Sequence, residues 1–119
     1  MAYILLVEDD TMISRMLTMR LMLCGHTVEA AFNGQEAVDT VLSEGYDLVL
    51  MDMHMPVLGG YAATRILRQR GYNKLVIAVT ASALAADSAK AIEAGCNDHI
   101  SKPIGPDFEE QIDGILSGL

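Results

Sequence analysis

The sequence has no run of apolar residues that approaches the roughly 20 residues needed to cross a membrane as a helix. Its opening segment, MAYILLVEDD, lacks the basic start of a secretory signal and becomes acidic too soon. Hydrophobic residues nevertheless make up 51% of the 119 residues, which excludes an intrinsically disordered chain. We therefore expect one cytoplasmic domain over residues 1–119 that does not insert into membranes.

Positive charge and cysteine are both scarce. Eight Lys and Arg residues against 16 Asp and Glu residues give a net charge of −8, whereas a nucleic-acid surface needs clustered basic residues. The acidic balance instead suits a protein that binds a cation or a basic partner surface. The 2 cysteines, Cys24 and Cys96, match no metal-binding spacing, and we expect both to be buried thiols in a reducing compartment.

What the sequence does contain is a regular alternation of short apolar runs and helical patterns. Strands are predicted over 3–7, 26–31, 48–52, 74–80 and 98–101. Helices are predicted over 11–24, 33–45, 60–70, 83–94 and from Pro106 to the end of the chain. This alternation is typical of a doubly wound α/β domain, in which helices cover both faces of a parallel sheet and ligands bind at the carboxyl ends of the strands.

The helical spacing also predicts which side chains form the core. The expected buried faces are Ile13, Leu17, Leu21 and Cys24 in the first helix, Ala37, Val38, Val41 and Leu42 in the second, Ala85, Ala89 and Ile92 in the fourth, and Phe108, Ile112, Ile115 and Leu119 in the fifth. Most of the 8 methionines are expected to fill the core, with Met53 and Met55 partly exposed. His26 is expected on the surface.

Charged and polar residues follow four of the apolar runs. They are Glu8, Asp9 and Asp10 after the first strand, Asp52 at the end of the third, Thr80 and then Ala81 at the end of the fourth, and Lys102 after the fifth. Taken singly, each has an ordinary explanation: Asp10 or Thr11 can cap a helix, and Asp52 can stabilise a turn. Taken together they mark one edge of one sheet, because the carboxyl ends of parallel strands lie side by side.

These residue types suit the transfer of a phosphoryl group. Clustered carboxylates favour Mg²⁺, which prefers oxygen ligands, and a carboxylate such as Asp52 can itself accept a phosphoryl group. The charge on the phosphoryl oxygens would be met by Mg²⁺, by the Lys102 ammonium, and by the Thr80 hydroxyl with the Ala81 N–H. Pro56 would turn the chain away from the strand and keep the site open.

Four segments, ILLVEDD, DLVLMDMHMP, IAVTA and HISKPI, occur in order along the chain, and through them the sequence resembles the receiver domains of two-component response regulators, in particular the chemotaxis type. The resemblance covers the whole chain and implies a flavodoxin-like strand order 2-1-3-4-5. It implies that Asp52 is the phospho-acceptor and that Glu8, Asp9 and Asp52 hold Mg²⁺, with Asp9 as the direct ligand of the acidic pair after the first strand. The backbone carbonyl of His54 would be a further ligand.

The same resemblance implies that Thr80 and Lys102 contact the phosphoryl group and that the peptide between Lys102 and Pro103 is cis. His99 stands where the family has its switch residue, which is usually aromatic. Imidazole is polar and titrates near neutral pH, and two roles for His99 remain open. In one, His99 is the switch and activation weakens as it becomes protonated. In the other, His99 stays on the surface in both states and contacts a partner. Further departures from the family pattern are Glu8 in place of Asp, Gly59 in place of Asp, and Gly105 in place of an acid.

Partners also follow from the resemblance. A histidine kinase or a histidine phosphotransfer protein would donate the phosphoryl group, and a downstream protein would bind the face formed by the fourth helix, the fifth strand and the fifth helix. The domain would assist its own phosphorylation and dephosphorylation, so we do not expect an enzyme that turns over a free metabolite. The opening Met favours an independent chain, although MDMHMP and HISKPI are typical of receivers within hybrid kinases.

Two other functions that occur on a similar fold fit this sequence less well. A phosphatase of the haloacid dehalogenase type needs a second acid two residues after its nucleophile, where His54 stands, and a chain of 119 residues leaves little room for a cap over the substrate. A flavodoxin-like electron carrier needs a phosphate-binding loop after the first strand. Acidic residues stand there instead and would repel a flavin phosphate.

Overall fold

A computed structural model describes residues 2–55, 57–81 and 85–118, with the side chains of residues 85–87 left out of the description. Strands and helices alternate as β1 (Tyr3–Val7), α1 (Thr11–Leu23), β2 (Thr27–Ala31), α2 (Gly34–Ser43), β3 (Leu48–Asp52), α3 (Gly60–Gln69), β4 (Leu75–Thr80), α4 (Ala85–Ala94), β5 (Asp98–Ser101) and α5 (Phe108–Ser117). Within these residues, no helix has the length and apolar character needed to span a membrane. The predictions for Pro56, Leu119 and the side chain of Ala85 lie outside the described residues.

The strands form one parallel sheet in the order β2-β1-β3-β4-β5, which confirms the predicted doubly wound fold. Strand β3 lies at the centre, and all 5 of its residues are buried because helices cover both of its faces. The register pairs Val7 with Met51, Asp52 with Val79, and Thr80 with Ser101. The carboxyl ends of β1, β3, β4 and β5 therefore meet at one edge of the sheet.

Two hydrophobic clusters fill the space between the sheet and its helices. One contains Ile4, Leu6 and Leu48 from the sheet with Leu17 and Leu21 from α1 and Phe108 and Ile112 from α5. The other contains Leu5, Val7 and Val49 with Ala37 and Val41 from α2, Ala63 and Leu67 from α3, and Ala91 from α4. Successive side chains of a strand point to opposite faces, so β1 and β3 contribute to both clusters and are held from both sides.

Two helices bury faces that differ from the predicted ones. In α2, Leu42 is 41% exposed because the buried stripe ends at Val41 and the next residue lies about 100° further around the helix. In α4, Ala89 and Ile92 are exposed, and Ala91 and Ala94 are buried instead. The alanine-rich sequence of α4 offers several stripes of similar apolar character, and packing against α3 and β5 selects among them.

Cys24 and His26, on either side of Gly25, have environments opposite to those predicted. Helix α1 ends before Cys24, and Gly25 turns the chain with a φ of +91°, so the Cys24 thiol is exposed. His26 is buried, and its Nδ1 accepts a hydrogen bond from the Ala2 N–H at 3.0 Å, which satisfies a polar group in the core. Cys96 is buried as predicted, and burial raises the pKa of its thiol.

The prediction that methionines fill the core is wrong for helix α1. Met12, Met16, Met19 and Met22 are all exposed, and Met12 is exposed by 81%. The helix packs only the face of Ser14, Leu17 and Leu21 against the sheet, and the methionines lie away from that face. Conversely, Met53 was predicted to be partly exposed and is buried.

Helix α5 begins at Phe108, two residues later than the predicted start at Pro106. Asp107 is the residue that precedes the helix, and it makes no side-chain cap. The Gly105 carbonyl before it accepts a hydrogen bond from Arg20 Nη2 at 2.9 Å. The same carbonyl also accepts a hydrogen bond from the Phe108 N–H at 3.4 Å, so a turn precedes the helix.

Candidate functional site

The end of strand β1 brings two acids to the carboxyl edge of the sheet. Glu8 continues the strand pairing, since its N–H donates to the Ala31 carbonyl at 3.0 Å, and the residue is only 2% exposed. Asp9 follows and is exposed. One carboxylate oxygen each from Glu8, Asp9 and Asp52 lie within 4.8 Å of one another, and we call these three residues the acid cluster.

The third acid after β1 has a different role. Asp10 is the N-cap of helix α1, and its Oδ1 accepts hydrogen bonds from the N–H groups of Met12 and Ile13 at 2.9 and 3.1 Å. Its own N–H donates to Glu8 Oε2 at 3.2 Å, which orients that carboxylate. Of the two predicted capping residues, Asp10 rather than Thr11 therefore caps the helix.

Asp52 is the last residue of the central strand and is 4% exposed. Its Oδ1 accepts a hydrogen bond from the His54 N–H at 3.1 Å, so the turn interaction considered for Asp52 is present. The Met53 N–H donates to the Val79 carbonyl at 3.1 Å and prolongs the pairing of β3 with β4 by one residue. The carboxylate is thus held by rigid backbone on both sides of it.

Lys102 reaches into the acid cluster from the end of β5. Its Nζ lies 2.8 Å from Glu8 Oε1 and 3.4 Å from Asp52 Oδ2. Burial lowers the pKa of the Lys102 ammonium, but the hydrogen bond to Glu8 and the charge of Asp52 outweigh burial, so that pKa lies above its ordinary value. The peptide between Lys102 and Pro103 is cis, as the resemblance implies.

The remaining predicted residues lie at or near the same edge. Thr80 is buried at the end of β4, and Ala81 follows it and is exposed. The Lys102 N–H donates to the Thr80 carbonyl at 2.7 Å, so the ends of β4 and β5 are joined directly. His54 is exposed beside the site, and its ring meets the Tyr61 ring edge-on with the centroids 6.4 Å apart.

His99 lies on β5 further from the edge, where it is half-buried. Its Nε2 lies 3.3 Å from Ser88 Oγ on α4, and its Nδ1 lies 3.8 Å from a carboxylate oxygen of Asp98. Its register partner is Ala78, two residues before the site hydroxyl of Thr80. These contacts connect the predicted switch position with α4 rather than with the acid cluster.

Two glycines that sequence reasoning did not place in the site allow its loops to approach closely. A Cβ on Gly60 would lie 2.3 Å from the Asp52 carbonyl oxygen, so α3 can begin against the end of β3 only with glycine there. A Cβ on Gly34 would lie 2.1 Å from the Leu58 carbonyl oxygen, which the Gly34 N–H binds at 3.1 Å. Asn33-Gly34 is predicted only as a helix start, and this long-range approach has no local sequence signal.

The acid cluster suits a hard divalent cation. Its donors are carboxylate oxygens, which Mg²⁺ prefers, and in the described part of the chain the one ammonium group within hydrogen-bonding distance of the cluster offsets only part of its charge. Asp9 is exposed and can take up a cation from solvent, whereas Glu8 already binds Lys102 and the Asp10 N–H. The residues therefore fit Mg²⁺, with Asp9 the most available ligand.

The chain belongs to the response regulator receiver domain family, whose model matches residues 4–111. It is 40% identical over 106 residues to hybrid signal transduction histidine kinase G of Dictyostelium discoideum, a match that covers 85% of this chain and 3% of that protein. It is 35% identical over 117 residues to an uncharacterized transcriptional regulatory protein of Bacillus subtilis, covering 98% of this chain and 50% of that protein. This chain therefore spans half or less of the length of these two relatives.

A solved structure connects the family to a metal. It is the receiver domain of a sensor histidine kinase from Pseudomonas aeruginosa PAO1, with a magnesium ion coordinated in its active site cleft. It is 35% identical to this chain with a TM-score of 0.86, and the match covers 98% of this chain and 95% of that one. The chain described here is accordingly a receiver domain of the two-component and phosphorelay type.

Proposed function

We propose that Asp52 accepts a phosphoryl group from a phosphohistidine donor. The P–N bond of the donor breaks, its electron pair stays with the imidazole nitrogen, and an Asp52 carboxylate oxygen forms the new P–O bond. The observation that carries the proposal is the position of Asp52. It ends the central strand, its Oδ1 is bound by a backbone N–H, and its Oδ2 lies 3.4 Å from an ammonium group.

The other site residues each stabilise part of the negative charge on the transferred phosphoryl group. Asp9 would be the direct Mg²⁺ ligand, and Glu8, Asp52 and the backbone carbonyl of His54 would be the other protein groups that hold the ion. Bound Mg²⁺ supplies charge neutralisation at the phosphoryl oxygens. Lys102, already within reach of Asp52, contacts a phosphoryl oxygen, and the Thr80 hydroxyl with the Ala81 N–H binds another.

The donor, a histidine kinase or a histidine phosphotransfer protein, docks beside the acid cluster. A groove of about 510 Å³ between α1 and the segment after β5 is lined by Ile13, Met16, Ala81, Lys102, Pro103 and Ile104. It offers apolar contact directly beside the Lys102 ammonium, where the side chains around a phosphohistidine would have to lie. Replacing exposed Met16 with Glu should slow transfer from a protein donor and leave labelling by a small donor unchanged.

Thr80 and His99 form the switch. Movement of the Thr80 hydroxyl toward the phosphoryl group would free space behind it, and the His99 ring would turn inward and loosen its contact with Ser88 on α4. The downstream protein then binds the face of α4, β5 and α5. NMR of the His99 ring, with and without a stable phosphoryl mimic, tests this proposal: the titration should differ between the two states, and identical titrations would contradict a switch.

We further propose that the domain is cytoplasmic and assists its own phosphorylation. Labelling with acetyl phosphate and Mg²⁺ tests the phosphorylation of Asp52. Wild-type protein should become labelled, and Asp52→Asn should abolish the label. Asp10→Asn is the matched control, because Asp10 stands beside the same cluster but caps a helix, and it should label normally. Undiminished label on Asp52→Asn would refute the assignment of Asp52.

A further inference from the structure

Arg20 joins helix α1 to the start of helix α5. From the last turn of α1, its Nε and Nη2 donate to the two carboxylate oxygens of Glu109, at 2.7 and 2.5 Å. The same Nη2 donates to the Gly105 carbonyl at 2.9 Å, and the guanidinium carbon lies 5.3 Å from the centre of the buried Phe108 ring. A planar guanidinium fork is needed for this combination, which the single ammonium of a lysine cannot reproduce.

The Gly105 carbonyl belongs to the short loop that leads from Lys102 to α5. At the start of the loop, the Lys102 N–H donates to the Thr80 carbonyl at 2.7 Å, and its Nζ reaches the acid cluster. At the end of the loop, Arg20 holds the Gly105 carbonyl. The loop is therefore bound at both ends, and only residues 103 and 104 lie between the two bound residues.

Helix α1, on which Arg20 lies, begins at the acid cluster. Its N-cap is Asp10, whose N–H binds Glu8 Oε2 at 3.2 Å. Glu8 in turn accepts from Lys102 Nζ at 2.8 Å. One end of α1 thus touches the acids, and its other end holds the loop that carries the ammonium. The hydrogen bond from Arg20 to the Gly105 carbonyl joins the far end of α1 to this loop.

We propose that Arg20, acting with Glu109, is a positioning residue for phosphoryl transfer: it holds the loop after β5 where the Lys102 ammonium reaches the phosphoryl group on Asp52. The inference rests on the proposed function of Asp52. Arg20 touches neither the donor nor the phosphoryl group and acts through Lys102 alone. Misplacement of a reacting or charge-bearing group by about 1 Å costs as much as ~10²-fold in rate, so a partial displacement has a measurable effect.

The decisive experiment is a double-mutant cycle read by the maximal rate of Asp52 labelling with acetyl phosphate at saturating Mg²⁺. Arg20→Ala should lower that rate about tenfold. In a Lys102→Met background the same substitution should cause no further loss, because the residue through which Arg20 acts is gone. An equal tenfold loss in both backgrounds would overturn the proposal. Arg20→Lys, which keeps the charge but not the fork, serves if Arg20→Ala does not fold.

A second measurement does not depend on labelling. The side-chain ammonium groups of Lys74, Lys90 and Lys102 give three signals that can be assigned by substitution and followed by NMR in Mg²⁺-free protein. Arg20→Ala and Glu109→Gln, which leave the number of lysines unchanged, should both move the Lys102 signal and leave the Lys90 signal in place. An unmoved Lys102 signal in both variants would reduce the Arg20 contacts to ordinary packing between helices and refute the positioning role.

The control for general destabilisation is Arg68→Ala, which removes an arginine that binds loop carbonyls at the opposite end of the sheet. It should lower the melting temperature and leave the Lys102 signal and the labelling rate unchanged. A labelling loss in Arg68→Ala equal to that in Arg20→Ala would overturn the proposal. Persistent label in Asp52→Asn would instead refute the proposed function, whereas normal Asp52 labelling in Arg20→Ala would refute this inference alone.

Discussion

The two ends of the sheet contain the same kinds of charged residue and use them in opposite ways. At the amino end, the Arg68 guanidinium donates to four acceptors at 2.6–2.9 Å, namely the carbonyls of Gly95, Tyr72 and Lys74 and the side chain of Asn97. At the carboxyl end, oxygens of three carboxylates lie within 4.8 Å of one another, and Lys102 Nζ binds Glu8 at 2.8 Å. The first set of contacts matches donors with acceptors, whereas the second concentrates negative charge.

We expect this difference to separate residues that stabilise the fold from residues that take part in the proposed phosphoryl transfer. Like charges brought together in a poorly solvated site raise the free energy of the folded state, and a cation that binds only that state lowers it again. The hydrogen bonds of Arg68 need no ligand to be complete. We therefore expect substitutions at the amino end to change stability alone, and substitutions at the carboxyl end to change chemistry and the response to Mg²⁺.

The largest difference in labelling rate is expected between substitutions of two lysines at opposite ends of the sheet. Lys102→Met should lower the rate of labelling by acetyl phosphate by about 10²-fold, as when one charge-stabilising donor is removed from an active site. Lys74→Met removes a lysine at the amino end that lies 3.6 Å from Asp47, and it should leave the rate unchanged. The comparison fails if the two variants label at similar rates.

Arg68→Ala should lower the free energy of unfolding by about 2 kcal/mol, since it leaves several carbonyl groups without their charged donor. Urea denaturation measures the change. Arg70→Ala, which removes an exposed arginine at the C-cap of the same helix, should shift the free energy of unfolding by less than about 0.5 kcal/mol. A loss in Arg68→Ala no larger than in Arg70→Ala would show that the amino end does not depend on this network.

Mg²⁺ should stabilise the wild-type protein by about 1.4 kcal/mol when its free concentration is ten times Kd. Thermal unfolding at constant ionic strength measures this effect without a contribution from general screening of the net charge of −8. The double variant Asp9→Asn/Asp52→Asn should give a flat curve. An equal rise in that variant would show that Mg²⁺ binds somewhere other than the acid cluster.

The smallest expected effect is on how protein stability falls with pH, through a carboxylate at the amino end of the sheet. Hydrogen bonds from Tyr3 and Tyr46, both 2.6 Å long, lower the pKa of Glu29 below its ordinary value of 4.5. A lowered folded-state pKa stabilises the protein above the unfolded-state pKa, and this stabilisation disappears as the pH falls through the folded-state value. Glu29→Gln should therefore flatten the loss of stability below about pH 4.5, whereas Glu110→Gln on α5 should not.

The sequence predicts the fold well because apolar runs and turn residues are local signals. All five predicted strands are present, and the strand order agrees with the family pattern. The sequence predicts the burial of individual side chains less well, for example where a helix packs on one side only. The exposed methionines of α1 and the buried His26 depend on which neighbours lie beside them, and no local pattern reports those neighbours.

For the candidate site, the sequence predicts the members but not their contacts. Strand ends bring Glu8, Asp9, Asp52 and Lys102 together as the parallel topology requires. The closeness of Gly34 to Leu58 and the hold of Arg20 on Gly105 come from elements far apart in the chain. Such contacts follow from packing, and the sequence alone does not mark Gly34 or Arg20 as residues that make them.

The most direct test of the account locates the acyl phosphate itself. Wild-type protein is treated with acetyl phosphate and Mg²⁺, the acyl phosphate is reduced with borohydride to convert the labelled aspartate into homoserine, and the position is read by peptide mass spectrometry. If Asp52 accepts the phosphoryl group, homoserine should appear at position 52, and positions 9 and 10 should remain unmodified aspartate. Homoserine at position 9 or 10, with position 52 unmodified, would contradict it.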